Sequence, residues 1–211
     1  MAALSSAAVL ALAISCAPEV APQTMLAVVK TESGLNPYVI GVNGPGGGAR
    51  SFASAAAATA AAERLIAAGA NVDLGLAQLN WKSGHLQRRG LPISAAFEPC
   101  TALSVGSQVL AHCWSRATGS DEQSRLYAAV GCYNAGHPRT STPYVFRVLA
   151  NAGIATAPTL PAARDTKPPT PPPAPRGHAG ATTTVRAARP NPLTADTAVA
   201  WGPVNSGWEG E

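Results

Sequence analysis

The sequence predicts a mainly helical α+β domain over residues 1–154, followed by a disordered tail over residues 155–211. Three observations support this prediction. Apolar residues recur at helical spacing through most of the first 154 residues, and two short segments among them have a strand-like pattern. In addition, eleven of the 19 prolines lie beyond residue 154, where no apolar periodicity is found. We therefore expect one folded domain with its own core and a proline-rich tail.

The composition argues against several classes of protein. Hydrophobic residues make up 46% of the 211 residues and charged residues only 12%, about half the usual quarter. Such a chain is neither a charge-rich disordered protein nor a coiled coil. The net charge of +4 comes from 15 basic and 11 acidic residues without a basic run, so nucleic acid is not an expected partner. No apolar stretch is long enough to span a bilayer.

The first segment, residues 2–15, is apolar and ends at Cys16. A secretory signal peptide has a hydrophobic stretch of this length, but it also begins with positive charge, and no Lys or Arg precedes Lys30. The alternative is a first helix that packs on the domain. Both interpretations of residues 1–15 remain open, and no export signal is clearly identified.

A helix is predicted from Pro22 onward. Proline suits the first helical position, and Met25, Val28 and Val29 form an apolar stripe at helical spacing. Gly34 supplies a left-handed residue that ends the helix.

The remaining elements follow in order. They are a short strand running into a glycine-rich loop (38–49), an alanine-rich helix (54–68), a second short strand or turn (71–80), a helix (101–117), a helix capped by Asp121, and a helix that starts at Thr142-Pro143 and ends at Gly153.

Glu32 occupies the next position of the apolar stripe, seven residues after Met25. In the last turn of a helix, a carboxylate faces the negative end of the helix dipole and loses water on burial. Both effects favour the protonated form, which is the form that a general acid for glycosidic cleavage requires. A single glutamate could equally bond a helix cap or turn toward solvent.

Three short motifs occur in order and resemble the signature of the soluble lytic transglycosylase (SLT) family, which has an ES, a GLMQ and an AYNAG element. They are residues 32–33 (ES), 75–78 (GLAQ) and 132–136 (CYNAG). The transglycosylase component of type IV secretion systems is the closer branch. It also has a CAP before the first helix, as at 16–18, and an acidic-Pro-Cys before a later one, as at 98–100.

The resemblance covers residues 16–151 and implies a lysozyme-like fold that cleaves the β-1,4 bond between MurNAc and GlcNAc in peptidoglycan. It implies that Glu32 is the only catalytic carboxylate. As an acid, Glu32 would protonate the glycosidic oxygen. As a base, it would take the proton of the C6 hydroxyl, closing a 1,6-anhydro ring without water, cofactor or metal. The residues expected to line the substrate cleft are Ser33, Gln78, Tyr133 and Asn134.

Two departures from the family pattern lie in the motifs themselves, where Ala77 replaces Met and Cys132 replaces Ala. A third is the spacing of about forty residues between Glu32 and Gly75. This insertion affects the rim of the predicted cleft and does not change the predicted chemistry.

A second acid would change the predicted chemistry, because hydrolysing glycosidases normally use two carboxylates. Asp73 is the candidate, and we interpret it as a turn or cap residue. We accordingly expect Glu32 to lie in an elongated groove facing Gln78 and Tyr133, with no other acid opposite. The hydroxyl of Tyr133 is expected to be able to contact Glu32.

Two other functions remain as alternatives to a lytic transglycosylase. One is a hydrolytic muramidase acting on the same bond, and the other is a non-catalytic peptidoglycan-binding assembly factor. The expected partners are peptidoglycan glycan strands and, through the proline-rich tail, subunits of a type IV secretion system. The expected location is the periplasm.

The four cysteines are Cys16, Cys100, Cys113 and Cys132, an even number that suits two disulfides in an exported protein. They form no Cys-x-x-Cys pair, and their spacing matches no zinc pattern. Cys113 and Cys132 lie on two successive predicted helices, so a bridge between them is the preferred pairing.

Overall fold

Six α-helices and a four-stranded sheet make up the described part of the chain in a computed structural model, which describes residues 3–138 and 142–154. The mainly helical α+β prediction is confirmed, whereas the predicted tail, 155–211, lies outside the described residues. The helices are α1 (Ser6–Cys16), α2 (Pro22–Ser33), α3 (Ala55–Ala67), α4 (Pro99–Arg116), α5 (Glu122–Ala135) and α6 (Pro143–Asn151). The strands are β1 (Val39–Val42), β2 (Gly48–Ser51), β3 (Val72–Leu74) and β4 (Leu79–Asn80). Two 3₁₀ helices span Gln87–Arg89 and Ile93–Phe97.

The helix ends follow the local signals in the sequence. α2 begins at Pro22 and ends against Gly34, whose φ of 60° is left-handed. Asp121 caps α5 by accepting a hydrogen bond from the Ser124 amide at 2.7 Å, and Thr142 caps α6 through its hydroxyl. These predicted boundaries are confirmed.

The sheet has the order β2-β1-β3-β4, and every neighbouring pair is antiparallel. Its register sets Gly41 opposite Asp73, and Asp73 opposite Asn80. Ile40 and Leu74, the adjacent pair, are fully buried. Because successive side chains point to opposite faces, Asp73 lies on the face away from the core.

The sequence predicts a glycine-rich loop that runs to residue 49, whereas residues 48–51 form strand β2 although they contain no β-branched or aromatic residue. The preceding turn brings β2 back onto β1 so closely that a Cβ on Gly47 would lie 2.0 Å from the Val42 carbonyl oxygen. The pairing with β1, rather than intrinsic propensity, therefore makes this strand.

Helix α1 is part of the core. It packs against α2 and α4, and its Val9 and Ala13 are fully buried, whereas Ile14 is 67% exposed. The large side chains buried with it in the same core include Phe97, Met25, Ile40, Leu74, Leu76, Leu103 and Leu110.

Two disulfides join the helices. Cys16 pairs with Cys100 and ties the end of α1 to the start of α4, and Cys113 pairs with Cys132 between α4 and α5. The second bridge is the pairing preferred from the sequence. Within residues 3–138 and 142–154, no group of three or more His, Cys, Asp or Glu side chains could hold a metal ion. None of the described helices is both long and apolar enough to cross a membrane.

Candidate active site

Glu32 lies in the last turn of α2 and is half-buried. Loss of water around the carboxyl is the largest influence on it and raises the pKa of Glu32 to about 7 from an ordinary value of 4.5. Three neighbours modify this effect. A hydrogen bond from Tyr144 lowers the pKa, the negative charge of Asp73 raises it, and the positive charge of Arg147 lowers it. The carboxyl can therefore be protonated or ionised near neutral pH.

The group that contacts the Glu32 carboxyl directly is Tyr144, in the first turn of α6. Its hydroxyl donates to Oε1 of Glu32 at 2.5 Å, and the residue is only 4% exposed. A second bond, from the Asn151 amide to the Thr31 hydroxyl at 2.9 Å, holds α6 against α2. No sequence motif points to Tyr144 as a neighbour of Glu32. The Thr142-Pro143 signal does place it in the first turn of a helix, but nothing local indicates which helix it meets.

Asp73 is neither a turn nor a cap residue, so that interpretation was wrong. It is the central residue of β3, and its carboxylate accepts hydrogen bonds from Asn43 at 2.8 Å and from Asn80 at 2.7 Å. Its charge raises the pKa of Glu32, so the expectation that no second acid faces Glu32 was also wrong. Asp73 lies on β3, which is paired on both sides in the sheet, and its charge acts on Glu32 from there.

Burial and the negative charges of Glu32 and Asp73 raise the pKa of Tyr133. The influence of both charges indicates that this side chain lies close to both acids. Its hydroxyl nevertheless donates to the Ala77 carbonyl at 2.8 Å. The hydroxyl that donates to Glu32 is that of Tyr144, in place of the contact suggested for Tyr133. Tyr133 thus connects α5 to the turn at residues 75–78.

Gln78 has a left-handed backbone with φ of 46°. Its side-chain amide donates to the Gly75 carbonyl at 2.9 Å and to the Val39 carbonyl at 3.3 Å. A Cβ on Gly41 would lie 2.8 Å from Oε1 of Gln78 and 3.6 Å from Oδ2 of Asp73. Glycine at position 41 therefore leaves room for the side chains of both Gln78 and Asp73.

The other two residues predicted to line the cleft are less closely involved. The Ser33 hydroxyl donates to the Val29 carbonyl of its own helix at 3.0 Å. Asn134 is exposed in the last turn of α5, next to Tyr133. The structure thus groups Glu32 with Tyr133 and, by way of Asp73, with Gln78.

A mainly helical domain with a small antiparallel sheet thus carries a protonatable glutamic acid at the end of a helix. The comparison with protein families is more specific. The transglycosylase SLT domain family matches residues 10–143, and the chain belongs to that family.

The similar proteins include several named for type IV secretion. The chain is 43% identical over 159 residues to the "Type IV secretion system protein virB1" of Brucella abortus, a match covering 71% of this chain and 66% of that protein. It is 35% identical over 122 residues to the "Protein virB1" of Agrobacterium fabrum, covering 57% of this chain and 49% of the relative. The chain thus spans less than two thirds of the length of these curated relatives. No solved structure matches it significantly.

Proposed function

We propose that this protein is a lytic transglycosylase that cleaves the β-1,4 bond between MurNAc and GlcNAc in peptidoglycan and leaves a 1,6-anhydro-MurNAc end. The observation that carries the proposal is the Glu32 carboxyl. Its pKa of about 7 leaves roughly half of the molecules protonated at neutral pH, as a residue that acts first as acid and then as base requires.

In the first step, protonated Glu32 donates its proton to the glycosidic oxygen while the bond from that oxygen to C1 of MurNAc breaks. In the second step, the resulting carboxylate removes the proton from the C6 hydroxyl of the same sugar as its oxygen bonds to C1. Glu32 is protonated again at the end, and no water is consumed. Because Tyr144 occupies Oε1, the proton is handled by Oε2.

Tyr144 suits this cycle because its hydrogen bond stabilises the charged carboxylate formed in the first step. Burial opposes it by favouring the protonated carboxyl with which the cycle begins. Gln78, Tyr133 and Asn134 are proposed to bind the sugars beside Glu32, with Ser33 supporting the helix end. The residues around Glu32 thus favour both of the protonation states that the two steps need.

We further propose that the enzyme acts in the periplasm, opening the wall for a type IV secretion or conjugation apparatus. The names of the Brucella and Agrobacterium relatives support this role. The two disulfides suit an oxidising compartment. Contact of residues 155–211 with subunits of the apparatus is part of the same proposal.

A hydrolytic muramidase is the second candidate, and Asp73 is the observation that favours it. Inverting and retaining glycosidases use a second carboxylate to activate water or to act as nucleophile, and Asp73 is near enough to Glu32 to raise its pKa. In this alternative, a water oxygen ends on C1, and the product is a reducing sugar instead of an anhydro sugar.

The decisive experiment digests purified peptidoglycan with the full chain and with the Glu32→Gln variant, followed by mass analysis of the fragments. We expect wild-type protein to release anhydro-ended fragments and the variant to be at least about a thousandfold slower while still binding the wall. Reducing ends from the wild type would identify a muramidase. Absence of cleavage by the wild type would support the non-catalytic assembly factor.

A further inference from the structure

A pocket lined by two arginines is separate from the Glu32 site. It has a volume of about 310 Å³ and lies between the sheet-edge strand β2 and helix α3. Pockets of about this size hold small-molecule ligands. We call it the arginine pocket, and its lining residues are Arg50, Ser51, Phe52, Ala61, Arg64 and Leu65.

The register of the sheet puts the Arg50 side chain on the opposite face from Asp73. Arg50 pairs with Ile40, which in turn pairs with the buried Leu74, whereas Asp73 pairs with Gly41. Directly paired residues share a face and adjacent residues alternate, so Arg50 and Asp73 point to opposite sides. A ligand bound at the Arg50 guanidinium is therefore on the other side of the sheet from Asp73.

The pocket is cationic above an apolar floor. Arg50 and Arg64 are exposed, no acid lines the pocket, and neither guanidinium has a hydrogen-bond or ion-pair partner among residues 3–138 and 142–154. Phe52 and Leu65 are half-buried beneath them. Two guanidinium groups without partners select a carboxylate or another planar anion, and the floor selects a short aliphatic group beside it.

We propose that the arginine pocket binds the carboxylate end of a peptidoglycan stem peptide, an inference that rests on the proposed function. Stem peptides carry free carboxylates next to alanine methyl groups, which matches both the charge and the apolar floor. A hydrogen bond of 3.3 Å from the Asn36 amide to the Ser51 hydroxyl connects this wall of the pocket to the chain just after α2. The pocket would then hold the polymer by a peptide while the other face of the sheet meets the sugars.

The test is calorimetric titration of the full chain with a synthetic stem tetrapeptide that ends in D-alanine. We expect the Arg64→Gln and Arg50→Gln variants each to bind the peptide at least about tenfold more weakly, because each loses a charge-assisted hydrogen bond. Arg116→Gln is the matched control. Arg116, like Arg64, is an exposed arginine in the last turn of a helix, but it does not line the pocket. Its affinity should stay within about twofold of that of the wild type.

Three results would overturn the inference. They are the absence of peptide binding by the wild type, equal binding by Arg64→Gln, and equal binding of the same peptide with a C-terminal amide. Inorganic phosphate at equal concentration should not displace the peptide, because it cannot cover the apolar floor, and displacement would mean a simple anion site instead. The Glu32→Gln variant should bind the peptide as the wild type does. Since binding is measured without cleavage, failure of wall digestion would count against the proposed function alone.

Discussion

At the scale of single residues, the chemistry of Glu32 is set by influences that oppose one another. Burial and the charge of Asp73 raise the pKa of the carboxyl, whereas the Tyr144 hydroxyl and the charge of Arg147 lower it. The resulting pKa of about 7 is lower than burial alone would give and higher than the hydrogen bond alone would give. Because a general acid must be protonated, cleavage should decline as the pH rises through about 7.

Replacing Tyr144 by Phe should move that decline to higher pH. The hydroxyl stabilises the carboxylate, so its loss raises the pKa of Glu32 further. We also expect kcat to fall about tenfold, since the carboxylate loses a hydrogen bond in the second step. The measurement is the rate of wall digestion between pH 5 and 9. Tyr127→Phe, on α5, serves as the control and should leave the profile unchanged, and an unshifted profile for Tyr144→Phe would contradict the prediction.

Replacing Asp73 by Asn should shift the decline in the opposite direction, to lower pH. The variant removes a negative charge that raises the pKa of Glu32, and its amide oxygen can still accept a hydrogen bond from Asn43 or from Asn80. A transglycosylase should keep most of its activity at pH 5.5 and the same anhydro products. A loss of about a hundredfold or more at every pH would show that Asp73 takes part in the reaction. Glu63→Gln, an exposed acid on α3, is the charge-matched control.

At the scale of elements, the site depends on how short segments end and turn. α2 ends at Gly34, which sets Glu32 in its last turn. The turn at residues 75–78 carries Gln78 and accepts the Tyr133 hydroxyl at Ala77. Gly75 opens this turn with φ of 72° and packs directly on the Ala96 carbonyl. The motif residues around it therefore have a structural role besides the binding role that we propose.

Two glycine substitutions separate backbone strain from steric exclusion. Gly34→Ala adds a Cβ that has nothing within 4 Å, so it should cost about 1 kcal/mol for the left-handed backbone alone. Gly75→Ala would set its Cβ 1.8 Å from the Ala96 carbonyl oxygen, and we expect a loss of about 3 kcal/mol or more in the free energy of unfolding. Urea denaturation measures both. Equal losses would mean that the 75–78 turn moves freely away from Ala96.

At the scale of the whole molecule, long-range links hold the helices that carry the site. α1 and α4 are joined by Cys16–Cys100 and by packing, while α4 and α5 are joined by Cys113–Cys132. α5 and α6 in turn carry Tyr133 and Tyr144. Breaking a disulfide should therefore loosen the packing of the helices and disturb the positions of Tyr133 and Tyr144, although no cysteine is one of the site residues.

The two disulfides should differ in their contribution to stability. They close loops with sequence separations of 84 and 19 residues, and loop entropy predicts losses of about 4.5 and about 3 kcal/mol on removing each pair. We expect Cys16→Ala/Cys100→Ala to unfold at lower urea concentration than Cys113→Ala/Cys132→Ala. The reverse order would contradict this prediction. After full reduction, both variants and the wild type should have closely similar midpoints.

The sequence by itself determined where the helices begin and end, and it singled out Glu32 as the candidate acid. Proline at the start of α2, glycine at its end and the caps at Asp121 and Thr142 are local signals, readable because each acts within about four residues. Glu32 stood out for a similar reason, since an acid on an apolar stripe conflicts with its surroundings whatever the tertiary fold. The cysteines on successive helices likewise indicated one bridge.

Only the tertiary structure decided what surrounds that acid. Tyr144 meets Glu32 across 112 residues of sequence. Asp73, whose charge raises the pKa of Glu32, lies on a strand that is paired on both sides in a register that no local pattern specifies. Strand β2 and the arginine pocket behind it likewise exist only through pairing with β1 and packing on α3. Periodicity and capping describe interactions within a few residues, whereas the pKa of a carboxyl depends on every charge and hydrogen bond that the folded chain brings near it.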